Sequence, residues 1–267
     1  MSWITARRRH RAAGYAVVLL GLVAAGTTYA AITGQASPAS AAAPPPNAQQ
    51  IAQGRQLFAV TCASCHGMNA QGVPGQGPAL IGVGAAAVDF QVSTGRMPGK
   101  ETSAEMPRKP PVFTPAQTHA LAAYVASLGG GPTIPAAGQV NTSGADLALG
   151  QQLFITDCAQ CHNFAGAGGA LTYGKYAPPL TQSTPTQIYE AMLTGPESMP
   201  VFSDTTITPA QKRDIIAYVT TTRSEPNPGG FSLGRIGPVT EGLVAFLGGI
   251  AALVFAAMWI TMKRREV

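Results

Sequence analysis

The sequence predicts a mainly α protein: two tandem small helical domains, an N-terminal hydrophobic segment and a C-terminal transmembrane helix. Three observations carry this reading. Cys62-Ala63-Ser64-Cys65-His66 recurs as Cys158-Ala159-Gln160-Cys161-His162. The surroundings of the two segments recur as well, at offsets of 96 and 94 residues. Apolar runs of 21 residues lie towards both ends, each with a basic flank. The implied divisions are 1–33 for the N-terminal segment, 34–47 for a Pro/Ala-rich linker and 48–128 for the first domain. A linker at 129–143, the second domain at 144–223 and a linker at 224–238 follow. The C-terminal helix takes 239–262 and a cytoplasmic tail 263–267.

The apolar runs are Ala12 to Ile32 and Gly242 to Met262. Each is long enough for a bilayer core of about 30 Å. Arg7-Arg8-Arg9-His10-Arg11 precedes the first, and Lys263-Arg264-Arg265 follows the second. Positive residues stay on the cytoplasmic side. Both basic ends are therefore expected inside, with the domains between them on the extracytoplasmic side of the cell membrane. Residues 42–238 hold ten Lys/Arg and ten Asp/Glu, so the net charge of +5 comes from the tails. That charge is a topology signal and gives no reason to expect a nucleic-acid partner. Ala39-Ser40-Ala41 also reads as a cleavage site, so the first run is either a retained anchor or a removable signal peptide.

Each domain repeats one plan. Gly54-Arg55-Gln56-Leu57-Phe58 precedes the first Cys pair, and Gly150-Gln151-Gln152-Leu153-Phe154 precedes the second. Helices are expected over about 48–59 and 144–155, delivering Leu and Phe to a core. A last helix begins at Thr114-Pro115 or Thr208-Pro209, with Thr at the N-cap and Pro at the first helical position. Gly- and Pro-rich loops fill the space between. The linkers read as semi-rigid to flexible spacers.

A Cys-x-x-Cys-His segment is the attachment signature of a c-type haem. Two thiols one helical turn apart add to the two vinyl groups of one porphyrin, and the adjacent His stands under the iron. The segments use all four cysteines, Cys62, Cys65, Cys158 and Cys161. A redox disulfide motif needs no such His and would not recur; a four-Cys zinc site needs the pairs close together. The expectation is two covalently bound haem c groups, with His66 and His162 as first axial ligands. A domain this small buries little of its own apolar surface, so the haem is expected to complete its core.

A thioether on the opposite face suits an electron carrier, because it raises the potential of the iron. In the second domain Met199 is the candidate; Met192 lies in a helical apolar run and reads as core. In the first domain Met97 and Met106 each precede a Pro. They lie 31 and 40 residues after His66, against 37 for Met199 after His162. Spacing to the last helix favours Met106 and the Thr94-Gly95 anchor favours Met97, so the residues alone leave both open. Met68 is too close to His66 to reach the far face. Pro78 and Pro178, 12 and 16 residues after their His, are candidates to accept the imidazole N–H through their carbonyls. His119 corresponds to Arg213 and is expected on a solvent-facing surface; His10 sits in the basic tail.

The arrangement resembles the dihaem cytochrome c subunit of the actinobacterial cytochrome bc1 complex, over nearly the whole chain. In the first domain the specific segments are Gly72-Val73-Pro74, Gly77 to Gly84 and Phe90-Gln91-Val92-Ser93-Thr94-Gly95-Arg96-Met97-Pro98. In the second they are Cys161-His162-Asn163-Phe164, Gly174-Lys175-Tyr176-Ala177-Pro178 and Met192-Leu193-Thr194-Gly195-Pro196. The resemblance implies class I-like cytochrome c domains, and it implies Met97 as the ligand; the extra Met106-Pro107 departs from the family pattern. It further implies a relay of electrons from menaquinol oxidation, through a Rieske iron–sulfur subunit and beside a cytochrome b subunit, to an aa3-type oxidase. Enzyme activity would belong to the complex, since no base, nucleophile or substrate pocket is legible in this chain. The alternatives are a dihaem subunit of a cbb3-type oxidase or of a membrane-bound dehydrogenase.

Overall fold

The computed structural model describes residues 11–33, 47–103, 105–225 and 238–263. The chain divides into two units, residues 1–41 and 42–267. The clusters Arg7-Arg8-Arg9 and Arg264-Arg265, the Ala39-Ser40-Ala41 site and most of the first and third linkers lie outside the described residues.

In the first unit, α1 spans Arg11–Thr33. In the second, the first half contains α2 (Ala48–Thr61), α3 (Ala63–His66), α4 (Gly84–Ser93) and α5 (Pro115–Ser127). A short α6 (Ala137–Val140) leads to α7 (Leu147–Asp157), α8 (Ala159–His162), α9 (Pro185–Thr194) and α10 (Pro209–Ser224). The last helix, α11, spans Pro238–Lys263.

Crossed helices build each core. Helix α2 packs on α5, and α7 packs on α10. Phe58 meets Tyr124 with ring centroids 5.3 Å apart and tilted by 57°, and Phe154 meets Tyr218 at 5.3 Å and 49°. Such tilted pairs stabilise beyond the area they bury. The helices approach closely because Gly54 and Gly150 stand at the crossings. A Cβ on Gly54 would collide with the Ala120 carbonyl, and one on Gly150 with the Asp214 carbonyl. The last helix of each domain starts in a full capping box, Thr114 with Gln117 and Thr208 with Gln211. This satisfies helix-end N–H groups that would otherwise be orphaned.

The structure departs from the sequence reading in three places. Helix α7 starts at Leu147 and not at Gly144, because Asp146 caps it with its side chain and Gly144 holds a left-handed φ of 71°. The linker 129–143 is not a free spacer. Pro132 accepts a backbone bond from Ala86 at 3.0 Å, and Gln139 of α6 donates to the Tyr189 hydroxyl at 3.1 Å. The extra residues between His162 and Pro178 form an antiparallel hairpin, β1 (Gly169–Ala170) with β2 (Tyr176–Ala177).

Helix α11 has 26 residues, of which Gly242–Met262 is apolar but for Thr261 and exposed along its whole length. At 1.5 Å per residue that stretch is about 32 Å long, the thickness of a bilayer core. Among the described residues it is the one helix long and apolar enough to cross a membrane; the apolar part of α1 runs from Gly14 to Thr28.

Gly54→Ala and Gly150→Ala are each expected to destabilise their domain by about 1–3 kcal/mol, since the helix pair must separate to admit a methyl group. Thermal unfolding of the full chain followed by circular dichroism checks this, and an unchanged melting temperature would show that the crossings are not tight.

Candidate haem sites

Both Cys-x-x-Cys-His segments fold alike. Cys62 and Cys158 end α2 and α7 and open the short helices α3 and α8 that end in His66 and His162. The chain then turns back under the imidazole. Gly72 donates to the His66 carbonyl at 2.8 Å, and Gly168 to the His162 carbonyl at 2.9 Å. Both glycines hold positive φ, 83° and 81°. This return brings the predicted prolines to the rings. His66 Nδ1 lies 2.8 Å from the Pro78 carbonyl, and His162 Nδ1 lies 3.1 Å from the Pro178 carbonyl. A carbonyl partner makes Nδ1 the protonated nitrogen and leaves Nε2 with its lone pair free. Burial lowers the pKa of His162, which favours that neutral form.

All four cysteines are free thiols. Cys62 packs on the first core and Cys158 within the second, so the pairs do not converge. Burial raises the thiol of Cys62 and pushes that of Cys158 up to about 12. Reactive redox cysteines show the opposite shift.

The imidazole of His66 faces a cavity of about 900 Å³, lined also by Cys62, Cys65, Leu80, Met97 and Met106. Met97 packs on the first core, and its N–H bonds the Gln91 carbonyl at 2.9 Å. Met106 lines the same cavity, with its N–H bonded to Glu197 at 2.9 Å. In the second domain Met199 packs on the core with Phe202, while Met192 is 2% exposed, a core residue as expected. These residues fit a covalently held haem: free thiols, a lone pair on a fixed imidazole and, in the first domain, a largely apolar space ahead of it. His119 is exposed, as expected; its Nε2 lies 3.6 Å from Asp89 Oδ1.

Sequence reasoning missed the contact between the two domains. Arg96 pairs with Glu197 at 3.8 Å, and Glu105 accepts from Tyr176 N at 3.1 Å. Arg108 reaches the Gln182 carbonyl at 3.0 Å, and Gln187 donates to the Ser93 hydroxyl at 3.0 Å. Asp89 of α4 and Glu190 of α9 are 6% and 0% exposed. Burial first, and the Asp89 charge second, push Glu190 up to about 10. The offset of Thr94-Gly95 from Thr194-Gly195 is the one sequence signal here, since it sets Glu197 where Met97 stands in the first copy.

Two cytochrome c domains in tandem, joined to an apolar helix, define a membrane-type c cytochrome. A model of the cytochrome c family matches residues 51–129, and one described as cytochrome C oxidase, cbb3-type, subunit III matches residues 145–219. The chain is 46% identical over 268 residues to a "cytochrome bc1 complex cytochrome c subunit" from Corynebacterium efficiens, covering 94% of this chain and 89% of that one. It is 47% identical over 259 residues to a subunit of the same name from Mycobacterium tuberculosis, covering 95% and 92%. A cbb3-type cytochrome c oxidase subunit, FixPc, from Rhizobium leguminosarum bv. viciae is 34% identical over 128 residues, 45% of this chain and 42% of that one. The chain belongs to the family of cytochrome bc1 complex cytochrome c subunits.

Glu190 holds its proton up to about pH 10 in the folded chain but loses it near 4.5 when unfolded. Folding therefore takes up a proton, and stability falls as pH rises through that window. Glu190→Gln is expected to melt higher than the unmodified chain, by a margin that grows with pH across it. A margin independent of pH would mean that Glu190 is ionised in the fold.

Proposed function

We propose that this chain is the membrane-anchored dihaem electron relay of a quinol-oxidising bc1 complex. In this reading it accepts electrons from the Rieske iron–sulfur subunit, beside the cytochrome b subunit, and delivers them to an aa3-type oxidase. Haem c would be attached at Cys62 and Cys65 and at Cys158 and Cys161, and when bound it supplies one-electron oxidation and reduction. His66 with Met97, and His162 with Met199, are the proposed axial pairs. Pro78 and Pro178 hold the two imidazoles in orientation, and the Leu, Val and Phe walls keep water from the reacting centre. The haem domains would face the extracytoplasmic side, with both basic ends inside.

The observation that carries this reading is the doubled His-to-Pro-carbonyl bond behind each Cys-x-x-Cys-His turn, at 2.8 and 3.1 Å. Similarity across more than nine-tenths of the chain to subunits named for a bc1 complex supports the assignment to that complex. A cbb3-type role rests on the second domain's family match. It accounts for neither the C-terminal helix nor the length of the bc1-type similarity.

Met97 is preferred to Met106 because it packs on the first core. Met97→Leu is expected to abolish the thioether-to-iron charge-transfer band of the first haem, and Met106→Leu to leave it. The reverse result would assign Met106.

The relay order predicts that a Cys158→Ala, Cys161→Ala variant, once shown to assemble, still has its first haem reduced by quinol but no longer supports oxygen consumption. Normal respiration of such membranes without added soluble cytochrome would reject the order.

A further inference from the structure

Resting on the two-haem reading, we propose that Glu197, carried by the second domain's Met199 loop, is a positioning residue of the first haem site. Four observations converge on it. Among the described residues Glu197 is the one lining residue of the first cavity that comes from the second domain. Its Oε1 accepts the Met106 N–H at 2.9 Å and pairs with the Arg96 guanidinium at 3.8 Å, so it joins the segments that carry Met97 and Met106. Arg96 is 6% exposed, lies 4.9 Å over the Phe90 ring and keeps Nη1 buried without a hydrogen-bond partner. That cation depends on Glu197 for its counter-charge. Glu197 itself sits at φ 58°, a left-handed conformation that a non-glycine residue adopts at a cost.

The consequence is electrostatic as well as mechanical. A carboxylate in the wall of a low-dielectric cavity favours ferric over ferrous iron there, since the oxidised site carries one more positive charge. The first haem then has its potential set partly by a residue that arrives only when the second domain is docked. Arg108 with Gln182 and Gln187 with Ser93 hold that docking from outside the cavity. Chain distance argues for the other haem, because Glu197 is two residues from Met199 and 100 from Met97. The experiment decides between the two.

The test is spectroelectrochemical titration of the full-length, haem-loaded protein, with Met97→Leu used to assign the first potential. Glu197→Gln, which keeps the shape and the acceptor for Met106 N but removes the charge, is expected to raise the first haem's potential more than the second's. Glu197→Asp, which keeps the charge, is expected to restore most of the original value. A shift confined to the second haem, or none in either, overturns the inference while leaving two haems per chain intact. Fewer than two haems in the unmodified chain overturns the two-haem reading and this inference with it.

Discussion

The first domain of this chain folds around a space that its own side chains do not fill. The crossed helices α2 and α5, with Gly54 and the Phe58–Tyr124 pair at their contact, form one wall of the first domain. The loops after His66 and after α4 form the others, and about 900 Å³ remains between them. A domain of fewer than 100 residues buries too little apolar surface to tolerate such a void by itself. The rest of the architecture follows from this. Cys62 and Cys65 must be free thiols beside the space, the imidazole must be held from behind, and the long loops must carry residues that face inward from the far side. Covalent attachment suits the same constraint, because a group that completes the core cannot be allowed to leave.

Legibility in the sequence tracks how local each feature is. The helix starts at Thr114 and Thr208 were readable because the N-cap Thr and the Pro that follows it are chain neighbours. Phe58 and Phe154 were assigned to the cores from the repeat, but their partners Tyr124 and Tyr218 were not, because the pairing joins helices 66 and 64 residues apart. The Pro78 and Pro178 carbonyls followed from the Cys-x-x-Cys-His chemistry. The β1–β2 hairpin was not readable, because strands of two residues leave no alternating pattern. The domain contact was not readable either. Tyr176 and Glu105 are 71 residues apart, and Asp89 and Glu190 look like ordinary polar helix positions until α4 is laid on α9.

Directed polar bonds cross that contact: Ser93 to Gln187, Arg108 to Gln182, Glu105 to Tyr176 and Arg96 to Glu197. Such a surface is a poor way to gain stability. Each bond replaces one to water and nets about 1 kcal/mol or less, and a buried Asp89–Glu190 pair is a cost at neutral pH. What directed bonds supply is orientation, since each is satisfied only at one distance and angle. An apolar contact of the same size would hold the domains together while letting them slide. Transfer of an electron between two centres falls steeply with their separation. A relay therefore gains more from a fixed spacing than from a strong interface, and the polar contact provides the first at the expense of the second.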